Sequence, residues 1–136
     1  MDILLDTNVL LFGMTNDRRL GPQARARMAD PSNRCLFSSL SVWEVALKHE
    51  RRPQDIPVDE ATFYTLCQLS GAVELPLRSN QTLLLSTIGQ RPSGREHNDP
   101  FDRMLLCQAK AQGAIFLTCD SMLLNYNEPF VVDGRE

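Results

Sequence analysis

Four acidic residues stand where a polar side chain is least expected. Asp6 directly follows the apolar run Ile3-Leu4-Leu5, and Asp120 closely follows Ala114-Ile115-Phe116-Leu117-Thr118. Glu44 interrupts Ser41-Val42-Trp43-Glu44-Val45-Ala46-Leu47-Lys48, with Leu40 and Leu47 on its own helical face at i−4 and i+3. Asp102 lies in the first turn of a segment opened by Asp99-Pro100. Brought together, such carboxylates repel unless protons or a cation compensate, and without metal their folded-state pKa values are expected to rise. The only histidines are His49 and His97, and neither has metal-ligand spacing. An all-oxygen set suits a hard cation, Mg²⁺ or Mn²⁺. Sites of this kind often hold two ions about 3.5–4 Å apart and activate water for phosphodiester hydrolysis.

Each acid also has a plainer explanation. Asp6 and Asp120 suit helix N-caps, whose side-chain oxygen accepts a free backbone N–H. Asp99 before Pro100 suits the same role, with Asp102 then at the third helical position, favourable to the helix dipole. Glu44 can pair with Lys48 at i,i+4, worth only about 0.3–0.5 kcal/mol on a helix surface.

The elements that would bring the acids together follow from the apolar pattern. Short apolar runs at 3–5, 35–37, 73–75, 114–118 and 130–132 read as buried strands. Helices are expected near 7–14, from Pro22 to about 29, at 40–50, 58–70, 79–88 and 99–112, with a short helical turn after Asp120. Gly71 and Gly113 end two of these, and 90–98, with Pro92 and Gly94, reads as an exposed loop. Fully apolar strands alternating with helices imply an α/β fold, a parallel sheet covered on both faces, in which ligands bind at the carboxyl ends of the strands. Those ends carry the acids.

Composition sets outer limits. The 136 residues fit one domain, 1–136, with 43% hydrophobic side chains to build a core. No apolar run nears the roughly 18 residues of a membrane span, and the first six residues carry two acids and no basic stretch. A cytoplasmic protein is expected. Cys35, Cys67, Cys107 and Cys119 show no CxxC pair and read as reduced thiols among apolar neighbours. The net charge of −3 argues against coating nucleic acid by bulk attraction, although two bound divalent ions would bring it to +1. Twelve of the fourteen basic residues are arginine, the side chain best shaped for bidentate phosphate contact. Leu83-Leu84-Leu85 suggests apolar surface beyond one core, hence a homodimer.

The order and context of the acids resemble the PIN-domain family, and within it the small bacterial VapC-type ribonucleases of toxin–antitoxin pairs. The matching segments are Leu4-Leu5-Asp6-Thr7-Asn8-Val9-Leu10-Leu11, Ser38 to Lys48 around Trp43-Glu44, His97-Asn98-Asp99-Pro100-Phe101-Asp102-Arg103, and Leu117-Thr118-Cys119-Asp120. Together they span nearly the whole chain. The resemblance implies a PIN fold and Mg²⁺- or Mn²⁺-dependent endoribonuclease activity. Asp6, Glu44, Asp102 and Asp120 would be the catalytic metal ligands, with Arg103 and Thr118 serving the substrate side of the site. Ala109 falls where that helix's small residue is expected, which carries the third acid to Asp102 and leaves Asp99 as the cap. His97 is expected in a loop near the cleft. The resemblance further implies a homodimer silenced by a cognate antitoxin, a segment of which, often carrying arginine, occupies the acidic cleft.

Three other readings compete. A haloacid-dehalogenase phosphatase also opens on a strand and an aspartate, but needs a second acid where Asn8 stands. A dinucleotide-binding module needs a glycine-rich turn, and the seven glycines form no GxG. A PIN-like fold kept only as an RNA- or protein-binding module is the alternative, favoured by a missing acid; none is missing.

Overall fold

The computed structural model describes residues 1–89 and 99–136. The loop expected at 90–98, with His97, lies outside the described residues.

Five strands form one sheet: β1 (Asp2–Leu5), β2 (Arg34–Ser38), β3 (Val73–Leu75), β4 (Ile115–Thr118) and β5 (Val131–Asp133). Every pairing is parallel, in the order β3-β2-β1-β4-β5. Strands so short and apolar hold only where both faces are covered. Alternation along β1 divides the core in two. Ile3 and Leu5 join Phe37 and Leu117 beneath α1 (Thr7–Thr15), α2 (Pro22–Ala29) and α4 (Glu60–Leu69). Leu4 joins Leu36 and Phe116 on the other face, against α6 (Pro100–Gln112) and α7 (Ser121–Leu124). Between them, α3 (Ser39–Arg51) contributes Val45 to the first cluster and Leu40 to the second. The expected α/β architecture is present. Among the described residues, no helix is long and apolar enough to cross a membrane.

Most helix boundaries follow their capping signals. Asp99 accepts from the Phe101 and Asp102 amides at 2.9 and 3.3 Å, Pro100 opens α6, and Gly113 closes it at φ +67°. The helix expected at 79–88 is corrected: α5 spans only Ser79–Thr82, followed by a 3₁₀ turn at Leu85–Thr87. Here Thr82 Oγ1 donates to the Ser79 carbonyl at 2.8 Å and Thr87 Oγ1 to the Leu84 carbonyl at 2.7 Å. Hydroxyls that bond nearby backbone in this way compete with a continuous helix.

The core is not wholly apolar. Gln108, buried in α6, accepts the Ser38 hydroxyl and donates through Nε2 to the Leu75 carbonyl at 3.3 Å and to Gln81 Oε1 at 3.2 Å. Gln81 Oε1 also accepts the Arg78 amide at 2.8 Å. One amide thus ties α6 to the ends of β2 and β3 and to α5.

Candidate active site

In register, Leu5 of β1 stands beside Leu117 of β4, so the next residues along each strand, Asp6 and Thr118, emerge side by side at the carboxyl edge. Asp6 is the N-cap of α1. Its Oδ1 accepts the Thr7 amide at 2.8 Å, and its Oδ2 accepts the Thr118 hydroxyl at 2.7 Å. Burial, the adjacent Asp102 charge and then Glu44 push its carboxyl up to about 7, against the opposing pull of the Thr118 and Thr7 donors. Among the described residues no cation pairs with it.

The Thr118 hydroxyl, while donating to Asp6, accepts the Asp120 amide at 3.0 Å. Asp120 caps α7 by accepting from the Met122 amide at 2.8 Å. Capping and membership of the cluster are therefore not alternatives. Thr118 is fully buried. Its hydroxyl bonds one acid's side chain and the other's backbone.

Asp102 is buried at the third position of α6, and its carboxyl is also raised to about 7. Burial is again the largest cause, followed by the charges of Asp99, Glu44 and Asp120, with Lys48 opposing. The expected mutual repulsion is present at both acids, and burial exceeds it. Glu44 reaches the same region from α3, its side chain 13% exposed, and its Oε2 lies 3.2 Å from Lys48 Nζ. The i,i+4 pair forms, and Glu44 still bears on both Asp6 and Asp102. The Thr7 hydroxyl donates to Ser41 Oγ at 2.8 Å, tying the start of α1 to the helix that carries Glu44. Arg103 is half-buried beside Asp102 and pairs with no carboxylate among the described residues.

All four sequence-derived acids thus belong to one electrostatic neighbourhood. Among the described residues, no three His, Cys, Asp or Glu side chains stand close enough together to form a ready-made metal ligand set. The donor chemistry still fits a hard divalent cation. Every candidate ligand is a carboxylate oxygen, and two of them are buried among like charges that a cation would relieve. No nucleophilic thiol competes for a role: the four cysteines are free, and burial pushes Cys67 up to about 12 and Cys119 up to about 11.

Sequence reasoning missed two features beside the acids. Trp43 is 56% exposed, with its ring centroid 5.0 Å from that of Phe101; each neighbours an acid in sequence. Periodicity assigned Trp43 to an apolar run, and nothing in that run separates an exposed aromatic from a buried one. A cavity of about 490 Å³ shares Asp120 with the acidic neighbourhood and is lined by Arg18, Arg19 and Arg135. Its only sequence signal is the preference for arginine over lysine.

The sequence matches the PIN domain family over residues 3–129, and the chain belongs to that family. Its fold is similar to solved structures of toxin–antitoxin complexes at low sequence identity. VapBC2 from Rickettsia felis, bound to a DNA fragment from its promoter, gives a TM-score of 0.68 at 12% identity, covering 98% of each chain. DNA-bound VapBC from Salmonella typhimurium gives 0.65 at 17%, covering 98% of each chain. VapBC-1 from nontypeable Haemophilus influenzae gives 0.60 at 17%, covering 91% of this chain and 90% of the other. Comparison with curated protein sequences finds no match.

Proposed function

We propose that the chain is a Mg²⁺- or Mn²⁺-dependent endoribonuclease, the toxin of a type II toxin–antitoxin pair. The observation that carries the reading is the mutual influence of four carboxylates: Asp102 and Glu44 act on Asp6, and Glu44 and Asp120 act on Asp102, with Asp6 and Asp102 buried and held well above the ordinary carboxylate range. PIN-family membership and the fold shared with the VapBC complexes support the toxin assignment and an antitoxin partner.

Asp6, Glu44, Asp102 and Asp120 would hold the metal. A bound divalent ion supplies a nucleophilic water at neutral pH and stabilises charge on the phosphoryl oxygens. The chain's own contribution is orientation. Thr118 fixes the spacing of Asp6 and Asp120 from below, and the Thr7–Ser41 bond holds α1 against α3. The Asp99 cap sets the first turn of α6, and Arg103 stands beside Asp102 to meet phosphate.

Purified protein free of antitoxin is expected to cleave RNA with Mg²⁺ or Mn²⁺, to stop in EDTA, and to leave 5′-phosphate and 3′-hydroxyl ends. Asp102→Asn should lose at least about a hundredfold in rate, as expected when a group acting on the transition state is removed. Cleavage that persists in EDTA, or that leaves 2′,3′-cyclic ends, contradicts the mechanism. Absence of any cleavage leaves the binding-module alternative.

A further inference from the structure

We propose that the arginine-lined cavity beside Asp120 is a nucleotide subsite, holding a phosphate and an unstacked base of single-stranded RNA next to the bond that is cut. The inference rests on the nuclease reading above, because it places the strand relative to the acids.

The cavity is built by elements far apart in sequence. The turn carrying Arg18 and Arg19 is braced from α2: Arg25 donates through Nη2 to the Asp17 carbonyl at 2.6 Å and through Nε to the Leu20 carbonyl at 3.1 Å. The segment carrying Arg135 is pinned beside it, with the Gly21 amide donating to the Gly134 carbonyl at 2.9 Å and the Ala24 amide to the Glu136 backbone oxygen at 2.9 Å. A Cβ at Gly21 would stand 2.3 Å from the Glu136 backbone, so this approach requires glycine. Two of the guanidiniums are oriented by bidentate pairs: Asp17 holds Arg19 at 3.1 and 2.7 Å, and Asp133 holds Arg135 at 2.9 and 2.8 Å. Arg18 is exposed and makes no ion pair among the described residues, leaving its five donors for a ligand.

The composition of the cavity points to a nucleotide. The forks of Arg19 and Arg135 are engaged by Asp17 and Asp133, so the bidentate match to phosphate oxygens falls to Arg18, with the outer N–H groups of the other two beside it. The Arg19 guanidinium lies 4.2 Å from the centroid of the Phe12 ring, so its plane is held against an aromatic face. An ordered guanidinium plane is a surface on which an unstacked RNA base sits. An acidic peptide would use the charges and leave that plane without a purpose. Asp120 on the cavity wall sets the location: a phosphate here is one short step along a strand from the acids.

The test is binding, measured by fluorescence anisotropy of a labelled single-stranded oligonucleotide in EDTA, so that no cleavage intervenes. Arg18→Ala, at an exposed side chain with no ion pair, should weaken binding about five- to tenfold. Arg18→Ala with Arg135→Ala should weaken it further, and each phosphate no longer neutralised should reduce the salt slope of log K by about 0.7. RNA duplex of the same sequence should compete at least about tenfold less well, because its bases are stacked within the helix. Unchanged affinity and slope in both variants overturn the subsite even where the parent cleaves RNA. An oligoglutamate peptide that displaces the oligonucleotide at equal concentration assigns the cavity to a protein partner and overturns it too. A parent that binds through these arginines yet cleaves nothing supports the subsite and overturns the nuclease reading.

Discussion

Thr118 Oγ1 donates to Asp6 Oδ2 at 2.7 Å across 112 positions of sequence. The same oxygen accepts the Asp120 amide, so one buried hydroxyl links the side chain of one candidate metal ligand to the backbone of another, each standing just beyond a different strand. A buried carboxylate stripped of a donor bears the desolvation cost of the missing bond, roughly 1–3 kcal/mol or more for a charged group. Thr118→Val is therefore expected to lower the melting temperature by several degrees at pH 8 and to weaken cleavage. Thr118→Ser keeps the hydroxyl and should restore most of both. Equal behaviour of Val and Ser would mean that the hydroxyl does not position the acids.

Gln108 offers a comparable test in the core. Its amide joins Ser38, Gln81 and the Leu75 carbonyl, and it lies on the helix that carries Asp102. Gln108→Leu conserves approximate volume but takes away the acceptor of the Ser38 hydroxyl and one donor each from the Leu75 carbonyl and Gln81 Oε1, at an expected cost of about 2–3 kcal/mol. Chemical denaturation should show a lower midpoint with an unchanged slope. A midpoint equal to the parent's would show that the network adds no stability to the fold.

How much of this was legible in the sequence depended on the scale of the interaction. Strands and their parallel arrangement were readable because β1, β2 and β4 are short and apolar on both faces, which only a covered sheet accepts. Asp6, Glu44 and Asp120 stood out because each interrupts or closely follows an apolar run, whereas Asp102 was preferred to Asp99 only through the resemblance to PIN domains. Local competition decided what was not. Nothing in the period of residues 79–88 announced that the Thr82 and Thr87 hydroxyls would break the helix. The roles of Thr118 and Gln108 rest on partners dozens of residues away, and no local pattern encodes them. Arg18, Arg19 and Arg135 form one wall only after Gly21 lets residue 136 approach α2.

Leu83, at 77% exposure, carries the dimer expectation, since Leu84 and Leu85 are both half-buried and Leu85 packs against the core. An exposed leucine of this kind is a candidate for burial between two copies of the chain. Light scattering is expected to give twice the chain mass for the parent and the chain mass for Leu83→Glu, with the melting temperature of diluted samples little changed. A parent that stays at the chain mass at high concentration would remove the dimer from the proposal.

The pH dependence of stability distinguishes a metal-binding cluster from a set of helix caps. Asp6 and Asp102 are held at about 7, against about 3.9 for an unfolded aspartate. Between those values the folded chain binds more protons than the unfolded one, so metal-free stability falls as pH rises from about 4 to about 7 and levels off above. A divalent cation competes with those protons. Millimolar Mg²⁺ or Mn²⁺ should therefore raise the melting temperature little at pH 5 and by several degrees at pH 8, through mass action on the folded state. Asp6→Asn mimics the protonated acid: Asn still caps α1, and its amide can donate to the Thr118 hydroxyl. In EDTA the variant should melt near the parent at pH 5 and above it at pH 8, by a few degrees, while losing cleavage and most of the metal-induced gain. Were Asp6 only a cap, Asn would serve nearly as well at every pH, and Mg²⁺ would move neither protein. Melting curves of both proteins at pH 5 and pH 8, in EDTA and in Mg²⁺, separate the two. A parent whose stability does not fall between those pH values, and that gains nothing from either metal, would contradict the assignment of Asp6 to a metal-binding cluster.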